Sequence, residues 1–281
     1  VTSNAHGIRG SWVTLLVAGT LLAGCSAQGT DNGLARQSDS PSAGTSPRAS
    51  ASSSPVSGEP PSAGASAASS VFTPDASLVP RTSKDGRRLA ESVVLAPAGW
   101  GRSFVAQTPA ESTPGTWAVL NKDCRWQREK LSRGVLASTS RYSRLPAGQG
   151  KGAVKVTAVA TVHASVLGAD EQLSTTLEEV LRCPEQRPRS DERITGLMSL
   201  GTPFGAREQE YADDSVLEAG DYVENGGAAQ PYRWMVARLG TVVVAVSVTG
   251  ATGNTAQELE QLGSKALAQM LTRIEQRLKG K

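Results

Sequence analysis

The chain has no HExxH pair, no GxSxG elbow, no Walker loop and no EF-hand pattern. Those absences remove the zinc peptidases, α/β-hydrolases, P-loop nucleotidases and calcium hands that a sequence announces by motif. Histidine is nearly absent, with two in 281 residues. His6 lies in an N-terminal leader, so His163 alone remains for acid–base or metal work. The three cysteines include no CxxC spacing, which argues against a zinc ribbon or a thioredoxin-type redox pair. Neither sign of charge dominates. The formal net charge is +3, too near neutral to argue for nucleic acid. There is also no apolar run of about 20 residues, the length a spanning helix needs.

What is there begins at the N-terminus. A short polar stretch carries Arg9 and no acidic residue, and an uncharged apolar run covers residues 12–22. Leu22, Ala23, Gly24 and Cys25 then follow in order. This ordering fits a secretory signal. The ending resembles the bacterial lipobox, in which an aliphatic residue and two small residues precede a cysteine. That resemblance implies cleavage between Gly24 and Cys25, with Cys25 carrying a diacylglyceryl group. Two acyl chains suffice for stable anchoring where one does not, at about 0.8 kcal/mol per buried CH₂. Arg far outnumbers Lys, and residue 1 is Val, which reads as an alternative start codon written out. Both point to a high-GC bacterium, such as an actinobacterium.

Residues 26–70 are mostly Ser, Ala, Gly, Pro and Thr. Such a segment buries too little apolar surface to offset its ordering entropy, so it reads as a disordered tether. A flexible chain of about 50–60 residues has an r.m.s. span on the order of 40 Å. The expected division is a signal over 1–24, a lipidated cysteine and linker over 25–85, and one extracytoplasmic domain over 86–281.

With Cys25 in a thioether, Cys124 and Cys183 remain. Outside the cytoplasm an isolated pair forms a disulfide. A metal site built on two cysteines and His163 would lack ligands. A Cys124–Cys183 bridge would contribute roughly 4 kcal/mol in the chain-entropy model.

Periodicity gives the coarse structure. A short helix is expected over 84–96, a turn at Trp100 and Gly101, and a short strand over 117–120. Strands follow over 135–142 and 153–163, joined as a hairpin. In the second, Val154, Val156, Ala158, Ala160 and Val162 share one face. Residues 170–182 read as a helix capped by Asp170, with an apolar stripe of Leu173, Leu177, Val180 and Leu181. Weaker strand signals cover 194–200 and 209–216. The clearest strand pair is 232–237 with 241–249, whose second member is apolar on both faces and so central. Thr255 and Glu258 form a capping box for a C-terminal helix, with Leu259, Leu262, Ala266, Met270, Ile274 and Leu278 as its stripe. The fold class expected is α+β: a mainly antiparallel sheet packed by a crossover helix and the long C-terminal helix, preceded by the linker.

No catalytic residue, metal site or cofactor is expected. His163 ends a strand and reads as structural or surface-exposed. Residues 249–254 lie between a strand and a helix, the setting of a phosphate loop, but their glycine spacing reads as a turn. An acidic run (Glu208, Glu210, Asp213, Asp214, Glu218, Asp221, Glu224) reads as a solvated edge or loop, the alternative being a hydrolytic or cation site. Residues 125–155 are correspondingly basic. They would keep a sheet face soluble or meet anionic wall polymer or headgroups. Trp126, Tyr232 and Trp234 are candidates for a ligand groove, against packing in the core.

The stretches VLAPAGW, CRW and VARLGTVVVAVSVTGATGNTAQELEQLGSKALAQML resemble actinobacterial envelope lipoproteins. The last is similar to the extracytoplasmic sensor-type domain of mycobacterial serine/threonine kinases and of related stand-alone lipoproteins. The resemblance implies an antiparallel sheet flanked by helices, with a cleft for an undetermined ligand. The kinase domains carry two disulfides, whereas this domain has cysteines for one. The expected protein is therefore lipid-anchored on the extracytoplasmic face of the cell membrane. It would have a non-catalytic binding or sensing domain for a small molecule, lipid or wall component. A scaffold with an envelope protein partner is the alternative.

Overall fold

The structure, a computed structural model, describes residues 72–280. The expected signal, Gly24, Cys25 and the linker up to residue 71 lie outside the described residues. In chain order the elements are α1 (Ser83–Val93), α2 (Pro97–Trp100), β1 (Val105–Glu111), β2 (Thr116–Leu120), β3 (Trp126–Lys130), β4 (Val135–Leu145), β5 (Val154–His163) and α3 (Val166–Arg182). Then come β6 (Gln186–Arg189), β7 (Glu192–Gly201), a 3-10 turn at Gly205–Glu210, β8 (Asp214–Glu224), β9 (Gln230–Leu239), β10 (Val242–Thr249) and α4 (Ala256–Leu278). Eight strands form one sheet in the order β1-β4-β5-β10-β9-β8-β7-β6, and β2 pairs with β3 as a separate hairpin. Every pairing between these strands is antiparallel. The α+β class is as expected. After β5, α3 carries the chain to the far edge. The strands then return to insert β10 beside β5.

The domain starts earlier than residue 86. Phe72 packs on the core, and the Asp75 amide donates to the Leu278 carbonyl at 2.8 Å. Thr82 caps α1 by accepting from the Asp85 amide. Composition alone hid this, because a Pro- and Ser-containing approach to a helix looks like the linker before it.

One face of the sheet is sealed. The alternating set Val154, Val156, Ala158, Ala160 and Val162 on β5 meets Val242, Val244, Val246 and Val248 on β10, and all are buried. α1 and α4 cover them with Leu89, Val93, Leu259, Leu267, Met270 and Ile274. Gly86 lets α1 lie close, since a Cβ there would meet the Leu136 Cβ at 2.8 Å. The C-terminal carbonyls of α1 are satisfied by guanidinium groups. Arg141 donates to Val94 O at 3.0 Å and Arg273 to Val93 O at 3.1 Å, matching the negative end of the helix dipole. The capping box of Thr255 and Glu258 opens α4 as expected.

The opposite face carries α3, and here two expectations are corrected. The helix begins at Val166, capped by Ser165 rather than Asp170. Its stripe is Ala169, Leu173 and Val180, while Leu177 is exposed and Leu181 is 84% exposed. The helix rests on the sheet along a narrow line, so a four-residue apolar stripe overstates its contact. The weak strand expected over 209–216 is also corrected. Residues 205–210 form the 3-10 turn, and the strand is β8, an interior strand between β7 and β9. The acidic run is thus not an edge or loop throughout. Glu218 is buried beside Val216, Leu217 and Ser215, because pairing on both sides draws a polar sequence inward.

Candidate functional site

The α3 face of the sheet changes character along β5, β10 and β9. On β10, Val243 and Ala245 lie under α3, and Ser247 and Thr249 continue beyond it. On β5 the same face runs Val159, Thr157, Lys155, and on β9 it runs Val236, Trp234, Tyr232. Alternate residues share a face, so the registry aligns these changes into rows. Tyr142, Thr157, Ser247, Trp234 and Glu218 are successive Cα partners across five strands. Lys155, Thr249 and Tyr232 form part of the next row. The apolar half of the face receives α3. The polar and aromatic half receives the β2–β3 hairpin, and a cavity of about 330 Å³ lies there. That is within the size range of small-molecule sites.

Trp126, Tyr232 and Trp234, the three candidates from sequence, all line this cavity. The Trp126 and Trp234 rings lie 6.2 Å apart and are tilted by 58°. Tyr232 is buried in the floor. Sequence reasoning did not single out Tyr222, Glu192, Thr157, Ser247 or Ile194, which also line it. Arg128 and Lys155 appeared only as members of a basic segment. Two signals could have found them. Trp126 and Arg128 are two apart on one short strand, and β10 turns polar on a single face at Ser247 and Thr249.

Polar contacts order the wall. Lys155 Nζ lies 2.7 Å from Glu224 Oε1, 3.4 Å from Glu192 Oε1 and 3.2 Å from the Tyr222 hydroxyl. Its charge also sits 5.5 Å from the Tyr222 ring centroid, a cation–π distance. Burial, reinforced by Glu192, pushes the Tyr222 phenol far above its ordinary range. Burial, with Glu218 next in weight, does the same to Tyr232. Both phenols are neutral hydrogen-bonding groups at physiological pH. Behind the wall, burial raises the Glu218 carboxyl to about 8, helped by repulsion from Glu179. Burial raises Glu179 to about 7.

The hairpin is fastened over the cavity at one end. Cys124 and Cys183 form a disulfide with a Cα–Cα distance of 5.5 Å, joining the β2–β3 loop to the end of α3. The Arg187 amide donates to Cys124 O at 2.8 Å, and the Trp126 indole donates to Gln186 Oε1 at 2.8 Å. Arg182 donates to the carbonyls of Asn121 and Leu120.

The remaining candidates do not converge. His163 is buried and its Nε2 lies 2.7 Å from Gln172 Oε1 on α3, so it is structural. Burial lowers its pKa. Residues 249–254 form a turn in which Gly250 N donates to Pro231 O, and a Cβ on Gly250 would meet that oxygen at 2.8 Å. The acidic run is dispersed. Asp213 bonds Arg238, Glu224 bonds Lys155, Glu208 bonds Ser215, and Asp221 is exposed. The basic segment is divided too, since Lys151 bonds Glu258 and Arg141 bonds Glu111 on other surfaces. Among the described residues, no group of three or more His, Cys, Asp or Glu is placed to hold a metal ion. Among them, too, no helix is long and apolar enough to cross a membrane.

No family model matches the chain, and no curated protein is similar to it. Among solved structures, it is similar to a putative uncharacterized protein of Mycobacterium smegmatis. That likeness has 10% identity and a TM-score of 0.34, covering 62% of this chain and 92% of the other. A likeness of that degree fixes neither fold nor activity.

Proposed function

We propose that the chain is a lipid-anchored extracytoplasmic protein whose domain binds a small ligand non-catalytically in the cavity beneath the β2–β3 hairpin. The observation that carries the binding reading is the cavity itself. Trp126, Tyr232 and Trp234 come together there, on the polar and aromatic half of the α3 face. The fixed hairpin supports it, because a roof tied by a disulfide pre-organises a site and lowers the ordering cost of binding. The anchoring reading rests on the lipobox residues Leu22–Cys25 and the tether after them. The sensing reading rests on the resemblance of the VARLGTVVVAVSVTGATGNTAQELEQLGSKALAQML stretch to kinase sensor-type domains.

Differential scanning of the purified chain against lipids, wall fragments and small metabolites tests the binding reading. A ligand at 100 times its Kd stabilises by about 2.7 kcal/mol. Failure of every compound to shift the melting temperature or quench tryptophan fluorescence overturns it. Detergent-phase partitioning, lost in Cys25→Ala, tests the anchor. A second reading is a scaffold in envelope assembly. It is favoured by exposed Leu177 and Leu181 on α3 and by Met198 and Leu200 on β7. Stoichiometric crosslinking to one envelope protein would support it.

A further inference from the structure

We infer that the cavity selects an amphipathic anion, its apolar body against Trp126 and Trp234 and its carboxylate or phosphate head at Arg128. This rests on the ligand-binding reading above and adds the sign and shape of the ligand. Three cations line the cavity, Arg128, Lys155 and Arg189, against the single carboxylate of Glu192. Two of the three are already compensated. Lys155 meets Glu224 at 2.7 Å and Glu192 at 3.4 Å, and Arg189 meets Glu192 at 3.5 Å.

Arg128 is different. Among the described residues it forms no ion pair, and neutral oxygens hold it instead. Its Nε donates to Thr116 Oγ1 at 2.8 Å, its Nη2 to the Thr116 carbonyl at 2.7 Å and its Nη1 to Ser140 Oγ at 3.4 Å. A guanidinium carries five N–H donors, so one hydrogen on each terminal nitrogen is uncommitted. The group is therefore fixed in place, half-buried, and lacks a counter-charge. An anion arriving there gains a charge-assisted hydrogen bond without the cost of ordering a free side chain. β3 sets Arg128 two residues after Trp126, on the same face. The positive head site and the apolar wall thus stand side by side, which is the layout an amphiphile fits.

The test uses the full chain carrying Cys25→Ala, so that no detergent is needed, and sub-micellar probes that differ only in the head. These are decanoate, decyl phosphate, decanol and decyltrimethylammonium, titrated by tryptophan fluorescence. Decanoate and decyl phosphate are expected to bind at least about tenfold more tightly than decanol, and the ammonium no better than decanol. Arg128→Gln should erase that difference, the two anions falling to the affinity of decanol. If that variant does not fold, salt serves instead: ionic strength should weaken decanoate binding and spare decanol. Equal affinity for all heads overturns the inference and leaves the ligand-binding reading standing. Failure of every probe overturns both.

Discussion

The two faces of this sheet are made by the same strands and differ completely in how they are closed. The α1–α4 face is uniform: every inward residue of β5 and β10 is aliphatic, and two helices fill it. The α3 face is uniform for only half its length. Past Val159, Ala245 and Val236 it turns to Thr157, Ser247 and Trp234, and the cover changes from a helix to a hairpin. A period-two pattern fixes each face independently, so one strand can serve a sealed core and a site at once. Burial of one set of alternating positions stabilises the fold. The other set is left to carry chemistry.

The largest expected effect comes from removing the hairpin's fastening. Cys124→Ser with Cys183→Ser opens a bridge spanning 59 residues, and unfolding in urea should show a loss of about 4 kcal/mol. Native-state hydrogen exchange should rise first in β2 and β3, leaving β10 protected. Equal loosening of both faces would break the contrast.

Next, Ile274→Ala cuts into the sealed face. Ile274 is fully buried on α4, so a cost of about 3 kcal/mol is expected. Ligand affinity in the cavity should be unchanged at temperatures where the variant is folded, as a titration would show.

The carboxyls behind the cavity wall predict a pH effect. An unfolded glutamate releases its proton near pH 4.5, whereas Glu218 holds its own to about 8 and Glu179 to about 7. Between those values the folded chain binds more protons than the unfolded one. Stability therefore falls as pH rises through that window. Denaturant unfolding should record a steady decline in stability across that window, and Glu218→Gln should flatten most of it. A stability that rises with pH across the window would contradict the buried, neutral state of Glu218.

The smallest effect sharpens the site alone. Trp126→Phe keeps a ring and loses the indole bond to Gln186. It should cost about 1 kcal/mol of stability. It should also raise exchange in the hairpin while leaving α4 as it was.

What the sequence made legible follows the same division. β5, β9, β10 and α4 were readable because the sealed face enforces strict periodicity. So was the disulfide, once Cys25 was read as part of a lipobox and set aside. β1 and β3 were not, because they are short, largely exposed strands whose residues satisfy neither period. β8 was hidden by its acidic residues, which only the pairing of β7 and β9 on either side brings into the interior. The aromatic candidates were named for their type. The spacing of Trp126 and Arg128 on one strand was legible, but the isolation of Arg128 from carboxylates was not, because it depends on where the β2–β3 hairpin rests on the eight-stranded sheet. That placement is tertiary, set by contacts such as the Cys124–Cys183 bridge and the Trp126–Gln186 bond that join residues far apart in the chain.

The late insertion of β10 also has a consequence for how the molecule comes into being. β5 ends at His163 and waits for a partner that begins at Val242. Until that partner arrives, β5 and β9 are both raw edges, open to pairing with any other extended chain. Closing the seam is a long-range event and therefore a slow one. A chain cut before Val242 would hold two separate half-sheets, β1-β4-β5 and β9-β8-β7-β6, and only with the last two elements present does the sheet become a single object.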